Sequence, residues 1–243
     1  MSNTNSPISL VTGANRSIGL EVVRQLSKLG HTVILGARDV VRGNHAALTL
    51  AADGISVPVA HLDLDDAQTH LAAARWIQTT YGRLDVLVNN AAIADDGDGP
   101  ASTMDPGAAR RMFDTNVLGT LAVTRAMLPL LRAAKSARII NLSSALGSIG
   151  EAADPKSEFA AVRLAGYAIS KAALNMLTVQ LAVELESDGI SVNAVDPGFT
   201  RTDMNNHQGY QTLAEGAAET VRLATQPKVS TAGFFSTGGI LPW

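Results

Sequence analysis

The sequence predicts an α/β fold, a doubly wound parallel sheet of about seven strands with helices on both faces, in a single domain over residues 1–243. Three observations predict it. Short apolar runs alternate with amphipathic stretches from Ile8 to the end of the chain, as in a parallel sheet whose strands return through helices. The strand candidates are continuous Val/Ile/Leu runs, the mark of strands buried on both faces. The chain has 243 residues, of which 46% are hydrophobic and only 4% aromatic, enough aliphatic mass for one large core.

The elements follow in order. Ile8–Thr12 is an apolar run that stops at Gly13. Ile18, Val22, Val23, Leu26 and Leu29 share one helical face, and Gly30 ends that helix. Thr32–Leu35 reads as the second strand, Val40–Ala51 as a helix and Ile55–Ala60 as the third strand. Asp65–Tyr81 is helical and Leu84–Val88 is the fourth strand. One long helix spans Asp105–Ala134, before the fifth strand at Arg138–Leu142. A second long helix spans Ala161–Glu186, before the sixth strand at Ser191–Val195. A weaker helix lies at Ala214–Ala224, and Gly233–Ser236 is the seventh strand. Asp95–Pro100, Gly147–Ser157 and Thr202–Gln211 are the long loops. Crossovers in such a sheet are right-handed, and ligands bind outside the carboxyl ends of the strands.

Composition excludes several classes. The net charge of −3 comes with no basic stripe, so the footprint of a nucleic-acid partner is missing. The chain has no cysteine, which excludes disulfides and thiol catalysis and is compatible with a reducing compartment. The N-terminal stretch, residues 1–14, has neither a basic patch nor a long apolar run. No signal peptide and a cytoplasmic location are therefore expected. No stretch approaches the roughly 18 apolar residues of a membrane span, so no membrane partner is expected. The five histidines are scattered without ligand spacing, and no metal site is expected.

The first strand runs into Thr12-Gly13-Ala14-Asn15-Arg16-Ser17-Ile18-Gly19. Glycine after a strand lets the backbone approach a phosphate, and the following helix aims free N–H groups and its positive end at that point. Gly19 allows the helix to lie close to the sheet. A plain connecting turn has the same outline, and the strict G-x-G-x-x-G pattern is absent. The second strand ends Leu35-Gly36-Ala37-Arg38-Asp39. An NAD site usually carries an acidic residue at this place. Here Ala37 brings no carboxylate, and Arg38 offers a planar fork for a 2′-phosphate, with Arg16 close enough in sequence to reach the same group. Arg38 as a solvated surface residue and Asp39 as a helix cap are the plainer alternatives. Together these residues favour NADP(H) over NAD.

Tyr167 and Lys171 stand four residues apart on one helix face. Free tyrosine, with a pKa near ~10, is a poor acid at neutral pH. An ammonium within about 4–6 Å lowers that pKa, and so would a cationic nicotinamide. A tyrosine tuned in this way donates a proton to a forming alkoxide. A tyrosine packed at a helix edge with its lysine in water has the same spacing. Ser143 and Ser144 follow the fifth strand, where a hydroxyl can hydrogen-bond a substrate oxygen or simply make a turn. Asn116 interrupts an apolar helix face. Its buried amide needs partners, and either holds a water beside Lys171 or is satisfied structurally.

Taken together, these segments resemble the short-chain dehydrogenase/reductase family from Ile8 to the last strand, and its carbonyl-reductase-like branch at Gly233-Phe234-Phe235 and Leu241-Pro242-Trp243. The resemblance implies a Rossmann-type fold. It implies cofactor contacts from Gly13, Asn15, Arg16, Ser17, Ile18 and Gly19, which are similar to the T-G-x-x-x-G-x-G turn. Asp63 matches the family's adenine-contacting Asp, with Leu64 beside it. Asn89-Asn90-Ala91-Ala92 is similar to the N-N-A-G strand end, and Pro197, Gly198 and Thr200 fall in the segment that holds the nicotinamide amide. Asn116, Ser144, Tyr167 and Lys171 match the catalytic tetrad. Ser144 is preferred to Ser143 because the family's serine precedes x-x-Gly, here Gly147. The resemblance implies that Tyr167 donates the proton, Ser144 orients the carbonyl, Lys171 binds the nicotinamide ribose and lowers the tyrosine pKa, and Asn116 supports a water relay.

Three departures stand out. Ser17 replaces the second glycine, Ala92 replaces a glycine, and the interval from Ser144 to Tyr167 is longer than the family's common spacing. The extra stretch, 149–164, is expected to line or cover the substrate cleft. With the short segment 202–212, this predicts an open site for a hydrophobic ketone, or for its alcohol in the reverse direction. A homo-oligomer, dimer or tetramer, is compatible with the resemblance. The rival readings are a non-catalytic NADP sensor on the same fold, which needs the turn but no acid, and an epimerase or dehydratase, which usually carries a larger substrate domain.

Overall fold

A computed structural model describes residues 6–243. The beginning of the stretch read as lacking a signal peptide, residues 1–5, lies outside the described residues. Eight strands form one sheet in the order β3-β2-β1-β4-β5-β6-β7-β8. They are β1 (Ile8–Val11), β2 (Thr32–Ala37), β3 (Val59–His61), β4 (Val86–Asn89), β5 (Arg138–Leu142), β6 (Ser191–Val195), β7 (Phe234–Ser236) and β8 (Gly239–Ile240). All pairings are parallel except β7 with β8. The chain runs outward from β1 to β3, then returns to place β4 on the other side of β1. That reversal opens a crevice above the carboxyl ends of β1 and β4.

Side chains alternate between two cores, as period-two strands require. Leu10, Ile34, Leu87, Ile139 and Val192 face one core, shared with α3 (Ala67–Tyr81), α5 (Thr120–Arg132) and α7 (Ala165–Glu184). Val11, Leu35, Val88, Ile140 and Val195 face the other, shared with α1 (Ser17–Lys28), α2 (Val40–Ala52) and α8 (Leu213–Thr225). No helix among the described residues is long and apolar enough to cross a membrane.

The departures from the expected elements have local causes. The third strand covers only Val59–His61, because Pro58 brings no N–H and the Ile55 N–H is spent on Leu50 O. The long helix at 105–134 is α4 (Pro106–Phe113), a π-helical segment Asp114–Gly119, and then α5. One inserted residue is invisible to a helical period, and the segment sits where Gly119 packs on Leu64. The helix expected from Ala161 starts at Ala165, after a separate 3-10 turn at Glu158–Ala161. An eighth strand folds back through the turn at 237–238. The stretch after β5 contains a short helix, α6 (Ile149–Ala153).

Candidate active site

The chain leaves β1 through Thr12 and turns into α1. Thr12 Oγ1 accepts the N–H groups of Asn90 and Ala91, each at 3.0 Å. Asn90 Nδ2 donates back to Thr12 O at 2.8 Å and Gly13 O at 3.2 Å. These four bonds fasten the end of β1 to the end of β4. Gly13 has φ +61°, and a Cβ there would lie 2.9 Å from Ala91 Cα; at Gly19 it would lie 2.4 Å from Asn90 Nδ2. Both close approaches require the missing side chain. The first turn of α1 has no acidic residue and no side-chain cap, so its free N–H groups and positive end suit an anion. The turn fits a phosphate group.

Ser17 has φ +49°, a left-handed conformation that costs a serine free energy and suits the glycine it replaces. Its hydroxyl donates to Asp203 Oδ2 at 2.8 Å, and Arg16 Nη1 lies 3.5 Å from the same oxygen. Arg16 is 61% exposed and lines the same cleft as Arg38. Arg38 is exposed and makes no ion pair among the described residues.

At the other end of the cleft, Gly147 lets α7 pack directly on the turn after β5: a Cβ would lie 2.6 Å from the Lys171 carbonyl carbon. The Lys171 side chain is buried, with Nζ donating to Leu142 O at 2.7 Å and lying 5.5 Å from the Tyr167 ring centroid. Burial pushes the Lys171 ammonium down to about 8. The Tyr167 phenol is pushed well above its ordinary value, first by desolvation and then by the Asp196 carboxylate. Sequence spacing alone led to the opposite expectation, a tyrosine lowered by its lysine. Desolvation opposes the phenolate more strongly than the nearby ammonium favours it.

The two serines separate clearly. Ser143 is buried and donates to Asn175 Oδ1 at 2.6 Å. Ser144 is partly exposed, and its Oγ only accepts, from the Leu146 N–H at 3.2 Å, so its proton is free for a ligand oxygen. Asp196, which begins the segment with Pro197, Gly198 and Thr200 and was given no role of its own from sequence, is a buried carboxyl on the same cleft. Its Oδ1 accepts the Ala145 N–H at 3.1 Å, and desolvation raises its pKa.

One cleft of about 420 Å³ joins these parts. It is lined by Gly13, Asn15, Arg16, Ser17, Ile18 and Gly19 of the turn, and by Arg38, Asp63 and Leu64. Asn90, Ala91 and Ala92 line it, as do Pro197, Gly198 and Thr200, and as do Ser144, Tyr167 and Lys171. Asn116 is the exception. Its Oδ1 accepts the Ile93 N–H at 2.8 Å, and its Nδ2 donates to Ile93 O at 3.0 Å and Ser170 Oγ at 3.1 Å. The amide is fully committed and makes no bond to Lys171. Of the stretch 149–164, expected to line or cover the cleft, Leu164 lines it. At the start of the stretch the Gly150 N–H donates to Trp243 O at 3.0 Å, and just before it Ser148 Oγ donates to Pro242 O at 2.7 Å.

A doubly wound sheet with an anion-binding turn at its switch point, and a serine, tyrosine and lysine beyond it, has the architecture of a dinucleotide-dependent oxidoreductase. The family model for short chain dehydrogenase matches residues 7–212. A short-chain dehydrogenase of Penicillium roqueforti is 37% identical over 93% of this chain and 91% of its own. Carbonyl reductase 3 of Mus musculus, named for NADPH, is 34% identical over 93% of each chain. The NADPH-bound carbonyl reductase from chicken fatty liver superposes with a TM-score of 0.85 at 28% identity, covering 98% of this chain and 99% of that one. The chain belongs to the short-chain dehydrogenase family, and it is an oxidoreductase of that family.

Proposed function

We propose that the protein is an NADPH-dependent carbonyl reductase that converts a hydrophobic ketone or aldehyde to its alcohol, with residues 1–243 acting as one cofactor-binding and catalytic domain. The observation that carries this reading is the single cleft that joins Arg38 and the α1 turn to Ser144, Tyr167 and Lys171. Arg38 and the start of α1 would hold the 2′-phosphate and the pyrophosphate, Asp63 and Leu64 the adenine, and Pro197, Gly198 and Thr200 the nicotinamide amide. When bound, NADPH supplies the hydride for the carbonyl carbon. Ser144 Oγ donates a hydrogen bond to the carbonyl oxygen and holds it in place. The Tyr167 phenol gives its proton to that oxygen as charge develops there, leaving a phenolate that solvent reprotonates. The Lys171 ammonium favours that phenolate. Asn116 contributes by fixing Ile93 in the cleft wall. Ile93, Leu146, Leu164, Phe199 and Met204 give the substrate end an apolar lining, which suits a hydrophobic carbonyl compound.

The test is NADPH oxidation against a panel of hydrophobic and small polar ketones and aldehydes. Turnover of the hydrophobic members is expected. Activity confined to small polar carbonyls would sink the substrate class, and tight NADPH binding with no turnover at all would leave the sensor.

Cofactor choice is tested separately. Arg38→Ala is expected to weaken NADPH binding about tenfold, toward the lower end for a charge-assisted hydrogen bond because the site is exposed. NADH binding should stay unchanged. Titration of cofactor fluorescence measures both, and equal weakening of the two would remove Arg38 from 2′-phosphate recognition.

A further inference from the structure

The backbone of Tyr167 is held by a residue far away in sequence. A helix begins with N–H groups that have no partner within the helix. In α2, α3, α4 and α8 a side chain just before the helix accepts them: Asp39, Asp66, Asp105 and Thr212. In α7 that place belongs to Leu164, which has no acceptor to offer. The partners come instead from the loop after β4. The Ala165 N–H donates to Gly99 O at 2.9 Å. The Gly166 N–H donates to Asp98 Oδ1 at 2.7 Å and the Tyr167 N–H to Asp98 Oδ2 at 3.0 Å. The first bond within the helix then runs from the Ala168 N–H to Leu164 O at 2.9 Å. Both carboxylate oxygens are therefore spent on the first turn of α7, and Oδ1 also accepts the Gly99 N–H at 2.8 Å. Gly166 allows the approach, since a Cβ there would lie 3.1 Å from Asp98 Oδ1 and 2.6 Å from Met112 Cε.

We propose that Asp98 is a positioning residue for Tyr167: it caps the catalytic helix across 68 residues of sequence and ties the tyrosine to the loop that lines the substrate end of the cleft. Two physical terms support it. The hydrogen bonds are charge-assisted, so they are shorter and stronger than neutral ones. The carboxylate also meets the positive end of the helix. Since Asp98 Oδ2 accepts the Tyr167 N–H, a shift of the loop would move the backbone that carries the phenol. This inference rests on the reading of Tyr167 as the proton donor.

The experiment compares Asp98→Ala and Asp98→Asn with the wild type in kcat, KM, NADPH affinity by fluorescence, and hydrogen exchange at the amides of residues 165–167. Asp98→Ala is expected to lower kcat on the order of tenfold by misplacing the phenol, to leave NADPH affinity within about twofold, and to speed exchange at those amides. Asp98→Asn keeps one acceptor and is expected to fall between, which also guards against an alanine variant that does not fold. A higher KM with unchanged kcat would make Asp98 a substrate contact and overturn the proposal. So would unaltered exchange at 165–167. If turnover survives in Tyr167→Phe, the reading of the acid fails, while the exchange measurement still judges the cap.

Discussion

Tyr167→Phe is expected to lower kcat for carbonyl reduction by about 10²–10⁴-fold, the usual worth of a positioned general acid, and to leave NADPH affinity essentially unchanged. The substitution removes one oxygen and keeps the ring that packs at the start of α7. The loss should therefore fall on proton delivery and not on the cleft. Desolvation and Asp196 raise the phenol above its ordinary value in the cofactor-free protein, which favours the protonated form that an acid needs. Paired measurement of kcat and of NADPH affinity checks the result. A variant with wild-type turnover would transfer the acid role to another group, and one that loses NADPH as well would make the tyrosine a structural residue.

Lys171→Met is expected to lower kcat/KM on the order of a hundredfold and to change the pH profile. Burial brings the Lys171 ammonium down to about 8. The sign follows directly: below that pH the side chain is charged and favours the phenolate left by proton transfer, and above it the charge is gone. In the wild type, kcat/KM for NADPH, which reports the cofactor-free enzyme, should hold up to about pH 8 and fall beyond it. The methionine variant should be slow throughout and lack that alkaline limb. If the limb persists in Lys171→Met, another group sets it. Met fills much of the same space, but it leaves Leu142 O without its donor, so a thermal melt should accompany the kinetics.

Much of this protein was legible in its sequence. Strand and helix periods are local, so the order of the elements and the ligand end of the sheet could be read from Ile8 to Ser236. Turn chemistry is local too: Gly13 and Gly19 announced close approaches that the contacts with Ala91 and Asn90 then explain. Arg38, Tyr167 and Lys171 lay at positions where the fold alone brings strand ends and a helix face to one crevice. The last turns of elements were less legible. Pro58 shortened β3, and the π-helical segment around Asn116 adds a residue without disturbing the apolar pattern on either side.

What the sequence by itself determined was therefore the doubly wound fold, the place of the cleft and the types of group that meet there, because each depends on neighbours a few residues apart. The resemblance already preferred Ser144 to Ser143, but only the tertiary structure showed why its hydroxyl is free, that Asn116 is committed to Ile93 and Ser170, and that Leu164 is the residue of 149–164 that lines the cleft. It also showed that Asp98 and Asp196 line the cleft, and that desolvation raises the tyrosine pKa in the cofactor-free protein where spacing alone predicted a fall. These outcomes depend on burial and on hydrogen bonds between segments far apart in the chain. Neither leaves a periodic trace in the residues themselves, because desolvation is a property of everything packed around a group and not of its neighbours in sequence.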